Sequence, residues 1–425
     1  MKSHSFAPLV FIGLLLSHVS CHHISGVVIG VSKWTARRFD APSSIANRAL
    51  AFYEGLKNMG VPSVIQSLSD TEKITQLSKF FSHLIVLEWG DQFLDHICNP
   101  MTYKAMRAFN TTAMHTIEGI HRFANNYEIK RELNGHLDGC NLLSALPFNV
   151  KFTLAISRFD LLLLALNEEL PSFRKALKGS NTSVLYVPVP VSDKLWKPYT
   201  KPKDFIRIYF DWDNRKIGRV DIAVVVLRAI EIYRSREETN FLHSKGVEVL
   251  TVSSLPPSIA NYTTVRQITP DAGSGLITPK KFADLLSSCH MYATAIHSTY
   301  ENPVVESQMA GAVLVSTPLT VHRELYDDHS VIMNASPEEI AAKMHERFSK
   351  RENISDQAHD IYSWTRQRHS PEAVICSFFG GLVLLHGQAT SVNIINKNST
   401  NNFVPVSTIC QRANGAEFGG VGWYY

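Results

Sequence analysis

Charge is scarce in this 425-residue sequence. Only 19% of residues are Asp, Glu, Lys or Arg, and 42 Lys plus Arg against 38 Asp plus Glu leave a formal net charge of +4. No basic block stands out, which disfavours a nucleic-acid or other polyanion binder that works by bulk charge, though a local anion site stays open. Cysteine is also rare. Six are present with no C-x-x-C pair, so neither a disulfide scaffold nor a paired-cysteine zinc or redox centre is indicated. No repeat of 20–50 residues is visible, which argues against a solenoid or propeller. What is plentiful is apolar: 45% of residues are hydrophobic and 10% aromatic. That composition excludes a disordered chain, a coiled coil and a collagen, and at this length it supports two cores.

The amino terminus has its own pattern. Lys2 precedes an apolar run, Phe6 to Leu16, eleven residues long and interrupted only by Pro8 and Gly13. It is too short to span a bilayer as a helix. Val19-Ser20-Cys21 then offers a cleavage site, so residues 1–21 read as a secretory signal peptide. Six N-x-S/T sequons, at Asn110, Asn181, Asn261, Asn334, Asn353 and Asn398, fit a glycoprotein of the secretory pathway. Loss of the signal would leave Cys98, Cys140, Cys289, Cys376 and Cys410. The odd number requires at least one thiol outside internal pairs, and Cys289 reads as a buried structural cysteine.

From residue 24 onward, short apolar strands alternate with amphipathic helices. Strands are expected at Gly26–Ser32, Val64–Ile65, Leu84–Trp89, Lys151–Ile156 and Val184–Pro190. A helix is expected over Ser44–Asn58, with Gly60 just past its end as a stop. The polar, proline-bearing stretch Lys197–Lys203 reads as a linker. The pattern then restarts. Strands are expected at Ile206–Phe210, Val247–Val252, Met291–Ile296 and Ala312–Ser316. Helices are expected at Val220–Ser235, from Thr278-Pro279 to Ser288, at Pro303–Ala310, and after the capping box Ser336–Glu339. Two more lie near Ser355–His369 and Pro371–Phe379. Near-continuous apolar strands between helices indicate parallel sheets covered on both faces. The expectation is α/β: two doubly wound Rossmann-like units, 24–200 and 204–384, facing a central cleft, with an irregular tail over 385–425.

The stretch that carries chemistry is Ser298–Ser316, STYENPVVESQMAGAVLVS. Asn302 suits a helix N-cap and Pro303 the first turn. The backbone N–H groups of Val304 and Val305 then lie at the positive end of a helix, where an anion can sit. Glu306, one turn in, has a carboxylate that can accept two hydroxyl donors, as a ribose offers. Gly311 lets the helix end close to the next strand. The plainer alternative is that Glu301 and Glu306 only complement a helix dipole at a surface.

This stretch resembles the nucleotide-sugar signature of retaining GT-B glycosyltransferases of the group 1, or family 4, type. Pro303-Val304-Val305-Glu306, Met309-Ala310-Gly311 and Val313-Leu314-Val315 match that signature in order and spacing. The resemblance extends to Phe282–Cys289, to Thr317–Asp328 with Glu324, to Ser336–Phe348, and to VLYVPVPVSDKLWKP at the end of the first unit. Three places depart from the family. The first carboxylate of its E-x7-E pattern falls on Ser298, with Glu301 as the nearest substitute. The cationic loop after the first strand of the second unit reads DWDNRKIGR, with Arg215, Lys216 and Arg219 available to a diphosphate. The position of the family's first-unit His is taken by Glu118, flanked by His115 and His121.

The resemblance implies an enzyme transferring a sugar, with retention, from a nucleotide diphosphate sugar to a glycan, lipid or protein acceptor. Glu306, Val304, Val305, Arg215, Lys216 and Arg219 would hold the donor. Glu301 would contact the sugar or its phosphate, and Glu118 would position the acceptor or stabilise an oxocarbenium ion. Neither a cofactor nor a metal is called for, nor a nucleic-acid partner. Asp211-Trp212-Asp213 is a D-x-D of the kind that holds a divalent ion in GT-A enzymes, but that architecture would leave the second unit unexplained. The departures keep two alternatives open: a catalytically degenerate GT-B-fold binder of glycan or nucleotide, and a sugar-nucleotide epimerase.

Overall fold

In the computed structural model, the described residues are 22–37, 44–87, 96, 99–116, 148–198, 201–202, 204–212, 220–240, 246–252, 255, 259, 265–268, 277–295, 302–318, 323–348, 352–386, 390–395, 401–405 and 410. A short strand, β1 (His22–Ile24), precedes the first large sheet. That sheet contains β2 (Val27–Val31), β3 (Ser63–Ser67), β4 (His83–Leu87), β5 (Thr111–Thr116), β6 (Leu161–Leu164) and β7 (Ser183–Tyr186), ordered β3-β2-β4-β5-β6-β7 with every pair parallel. Its helices are α1 (Lys33–Ala36), α2 (Ser44–Asn58), α3 (Thr71–Leu77), α4 (Pro100–Met106), α5 (Phe148–Ile156) and α6 (Leu170–Ala176).

The second sheet contains β8 (Ile206–Asp211), β9 (Val247–Thr251), β10 (Val265–Gln267), β11 (Met291–Thr294), β12 (Val313–Ser316) and β13 (Val331–Ile332), ordered β10-β9-β8-β11-β12-β13 and again parallel throughout. Around it lie α7 (Val220–Asn240), α8 (Pro279–Ser288), α9 (Asn302–Met309), α10 (Pro337–Phe348) and α11 (Glu352–His369). In each sheet the chain builds to one side and then jumps back across its first strand. The reversal falls between β2 and β4 in one sheet and between β8 and β11 in the other. At such switch points a crevice opens at the carboxyl ends of the strands.

Helix ends follow the local chemistry. At α2 the Val61 N–H donates to Leu56 O (2.8 Å) and the Gly60 N–H to Lys57 O (3.0 Å), with Gly60 at φ 75°. The α9 end repeats this, with Ala312 to Ser307 (2.9 Å), Gly311 to Gln308 (2.8 Å) and Gly311 at φ 72°. Both are Schellman closures built on a left-handed glycine. Ser336 and Glu339 form the expected capping box, Glu339 N–H to Ser336 Oγ at 3.3 Å and Ser336 N–H to Glu339 Oε2 at 2.9 Å. Cys289 is a buried free thiol, and burial pushes its pKa up to about 12, so it stays protonated.

Three expectations are corrected. Lys151–Ile156 belongs to the helix α5, not to a strand; from Phe152 to Ile156 every residue is buried, so no polar face marked the helical period. The helix expected at Pro371–Phe379 is α12 (Pro371–His386), and its side chains Ile375, Phe378, Phe379 and Leu382 lie in the core of the first sheet with Phe52 and Leu56. The stretch Pro371–His386 therefore packs with the first unit. The tail is also not wholly irregular. Strands β14 (Thr390–Ile395) and β15 (Asn401–Pro405) form a three-stranded sheet with β1, and Cys376 is disulfide-bonded to Cys410. No helix among the described residues is long and apolar enough to cross a membrane.

The chain crosses between the units twice, and the two crossings are tied together. Val191 N–H donates to His369 O (2.7 Å), and the His369 Nδ1–H donates to Val189 O (3.0 Å).

Candidate functional site

Glu306 is the residue around which the two units meet. It lies on α9, which follows β11 at the switch point of the second sheet. Its side chain is only 5% exposed, and its Oε1 accepts a hydrogen bond from Asn47 Nδ2 of α2 in the first unit (3.4 Å). Burial raises its pKa to about 8; the Asn47 bond works against that shift, and the charge of Asp211 works with it. At neutral pH this carboxyl is mainly protonated in the unliganded protein.

Asp211 ends β8, the strand beside β11, and accepts a hydrogen bond from the Tyr292 hydroxyl. Tyr292 stacks on Tyr209 with ring centroids 5.8 Å apart, which fixes the phenol. Two acids, Asp211 and Glu306, thus sit at the carboxyl edge of neighbouring elements, and Asn47 covers one of them. Among the described residues, no group of three or more His, Cys, Asp or Glu gathers as a metal-holding cluster.

Val304 and Val305 fall within the first four residues of α9, whose N–H groups have no acceptor inside the helix. Both residues are buried, with 0% and 1% exposure. Gln308 braces the helix from below. Its Oε1 accepts from the Asp327 N–H (3.3 Å) and its Nε2 donates to the Leu325 carbonyl, which ties α9 to the turn Arg323–Leu325. From that turn Glu324 reaches the first unit, accepting from the N–H of Asn167 (2.8 Å) and of Glu168. Two carboxyls of the second unit thus reach the first, and a third side-chain bridge runs from Arg366 Nε to Asp193 Oδ2 (3.0 Å).

Glu301, Glu118, Arg215, Lys216, Arg219, His121 and Asp213 lie outside the described residues. His115 does not reach a cleft. It is buried, with Nε2 donating to Val187 O (2.9 Å) and Nδ1 at 3.3 Å from Arg48 Nη1. Burial first, and then the Arg48 charge, depress its pKa to about 3, so it is a neutral structural imidazole. Sequence reasoning missed Asn47, Tyr292 and the bridging role of Glu324. Asn47 carries no local signal, because its partner is 259 positions away. A surface hollow of about 430 Å³ lined by Arg207, Lys281, Asp284 and Ser288 runs along α8 and includes none of the site residues.

No protein-family model matches the chain, and a search of curated proteins by sequence also finds no match. Solved structures do resemble it. The sucrose-phosphate synthase of Thermosynechococcus elongatus superimposes with a TM-score of 0.51 at 8% identity, over 85% of this chain and 98% of that one. Anabaena Alr3699/HepE in complex with UDP gives 0.50 at 11% identity, over 84% and 100%. The E. coli trehalose-6-phosphate structure bound with UDP-2-fluoro glucose gives 0.50 at 11% identity, over 84% and 99%. With two parallel six-stranded sheets and their helices, the fold is that of the GT-B glycosyltransferases.

Proposed function

We propose that the protein is a glycosyltransferase that uses a nucleotide diphosphate sugar, with retention at the anomeric carbon and without a metal ion. One observation carries this reading. Glu306 occupies the switch point of a GT-B second unit, at the seam with the first unit, within the segment whose spacing suits nucleotide-sugar binding. The ionised carboxylate takes the 2′ and 3′ hydroxyls of the ribose. The amino end of α9, with the Val304 and Val305 amides, faces the diphosphate, and Arg215, Lys216 and Arg219 supply cations to the leaving group. Glu301 contacts the sugar or its phosphate. Glu118 positions the acceptor or stabilises positive charge at the sugar ring.

Because Asn47 occupies Glu306, donor binding at that carboxylate displaces the Asn47 contact. UDP is the first probe, because similar folds have been solved with it. Calorimetry with UDP, followed by incubation with a panel of UDP, GDP and ADP sugars, tests the proposal. Binding with sugar transfer or donor hydrolysis supports it, and no binding of any nucleotide sinks it. Ser298, standing where the resemblance expects a carboxylate, favours one second reading: a protein that binds the donor without turnover. Binding with no transfer and no hydrolysis would select that reading, whereas interconversion of donor sugars would select an epimerase.

Localisation in the lumen of the endoplasmic reticulum or Golgi, or secretion, belongs to the same proposal. Its support is the amino-terminal pattern, the sequons and the Cys376–Cys410 disulfide, a bond that persists in oxidising compartments.

A further inference from the structure

Phe80 is 72% exposed, the highest value among the exposed large apolar side chains described. It stands in the turn between α3 and β4, on backbone that is held. The Phe80 and Phe81 N–H groups both donate to Leu77 O (2.9 Å each), and the Lys79 N–H donates to Gln76 O (3.2 Å). Phe81 packs against the apolar layer that contains Ile74, Phe109 and Met114, whereas Phe80 is left in water. Single exposed aromatics are common on protein surfaces. What sets this one apart is the residue across from it. Strands β4 and β5 pair with His83 opposite Thr111, and the Thr111 N–H donates to Ser82 O (3.2 Å). Asn110, exposed and the first residue of the sequon Asn110-Thr111-Thr112, therefore comes level with Ser82, two residues from Phe80. The opposite flank of β5 is polar: Asp160 there pairs with Arg107 (2.9 Å) and accepts from the Thr112 N–H (2.7 Å).

We propose that Asn110 carries an N-linked glycan whose innermost N-acetylglucosamine lies on the Phe80 ring, so that a sugar covers the apolar surface left open at this turn. This inference rests on the secretory reading. The transfer joins Asn110 Nδ2 to the anomeric carbon of an oligosaccharide supplied by a lipid diphosphate; the amide gives up one proton, and the lipid diphosphate leaves with the bonding pair. The apolar C–H face of the sugar carries partial positive charge and complements the negative face of the phenyl ring. Because the sugar is tethered two residues from the ring, the contact is intramolecular and escapes the entropy loss that a free saccharide bears. The modification precedes folding. Thr112, the third residue of the sequon, is 1% exposed and its hydroxyl donates to Asp160 Oδ2 (2.9 Å), so an enzyme that reads the sequon meets the chain before β5 joins the sheet.

The test uses the full chain expressed in secretory cells as wild type, Phe80→Ala, Asn110→Gln and the double variant. Glycopeptide mass spectrometry reads occupancy, and thermal unfolding reads the contact. Asn110 is expected to be occupied in wild type and in Phe80→Ala. Asn110→Gln should lower the melting temperature by about 1–3 °C when Phe80 is present and leave it unchanged on the Phe80→Ala background. Trimming wild type with an endoglycosidase to one N-acetylglucosamine per site should preserve the melting temperature, since the stacked sugar stays. Phe80→Tyr, which keeps a ring, should behave as wild type. An occupied Asn110 with strictly additive substitutions overturns the contact. An empty Asn110 beside glycans at other sequons overturns the modification and leaves the secretory reading standing. A cytosolic protein with no glycan at any sequon brings down the secretory reading, and this inference with it.

Discussion

On the proposed reading, the Glu306 carboxyl ties donor binding to pH. Its folded pKa of about 8 lies above the ordinary value of 4.5. Between those two values the folded protein holds a proton that the unfolded chain releases. Unliganded stability should therefore fall as pH rises from about 4.5 to about 8, and then level off. Donor binding through two ribose hydroxyls needs the ionised form, so it should run the opposite way. UDP-glucose affinity is expected to rise roughly ten-fold per pH unit below 8 and to flatten above it. Glu306→Gln mimics the protonated carboxyl, so it should remove the slope and cost most at high pH. Replacing two charge-assisted bonds with weaker ones there costs about ten-fold or more in affinity. Titration calorimetry at several pH values reads both effects. A wild-type affinity that is flat between pH 6.5 and 9 would mean that the ribose does not meet this carboxylate.

At the scale of elements, the close of α9 is the most constrained point near the site. A Cβ on Gly311 would lie 2.8 Å from the Ala358 carbonyl oxygen and 3.1 Å from Pro198 Cβ, on a backbone at φ 72°. Gly311→Ala should destabilise the fold by about 2 kcal/mol or more, since the left-handed conformation alone costs about 1–2 kcal/mol for an L-residue. Urea unfolding measures this, and an unchanged midpoint would show that the helix end can relax. This element was legible in the sequence: glycine after an apolar helix, proline at its start and a capping serine elsewhere each act on their near neighbours. Glu306 was legible for the same reason. Elements set by distant partners were not. Strand β5, TTAMHT, reads as polar, yet it is buried because the Thr112 hydroxyl donates to Asp160 (2.9 Å) and His115 is held by Val187. Helix α5 reads as a strand because it is enclosed on every side. The burial of Glu306 also escaped the sequence, since it depends on Asn47 from another unit.

For the whole molecule, the proposed donor site lies at a seam that Glu324 helps to hold shut. Glu324→Ala removes the carboxylate that holds the Asn167 and Glu168 amides across the seam. Stopped-flow measurement should show the UDP association rate rising several-fold, because the opening step no longer breaks charge-assisted hydrogen bonds worth roughly 1.5–3 kcal/mol each. An unchanged rate would mean that donor enters the bridged form. Luminal residence has its own readout. Asn110 and Asn181 are exposed and lie one and two residues before β5 and β7, at the amino ends of those strands. Glycans there leave the site clear. Protein expressed in secretory cells should gain mobility on treatment with N-glycosidase, and Asn110→Gln and Asn181→Gln should each remove one step. Unchanged mobility in a cytosolic protein with an intact Met1 would sink the secretory assignment. The return of α12 to the first unit also has a consequence for synthesis. Strands β2 to β7 leave the ribosome early, at about 5–20 residues per second. Ile375, Phe378, Phe379 and Leu382, which cover one face of that sheet, follow only after the whole second unit, and Cys376 and Cys410 can join only later still. The half that is made first is thus finished last, and a nascent chain stopped before Pro371 presents chaperones with an uncovered apolar sheet instead of a free-standing domain.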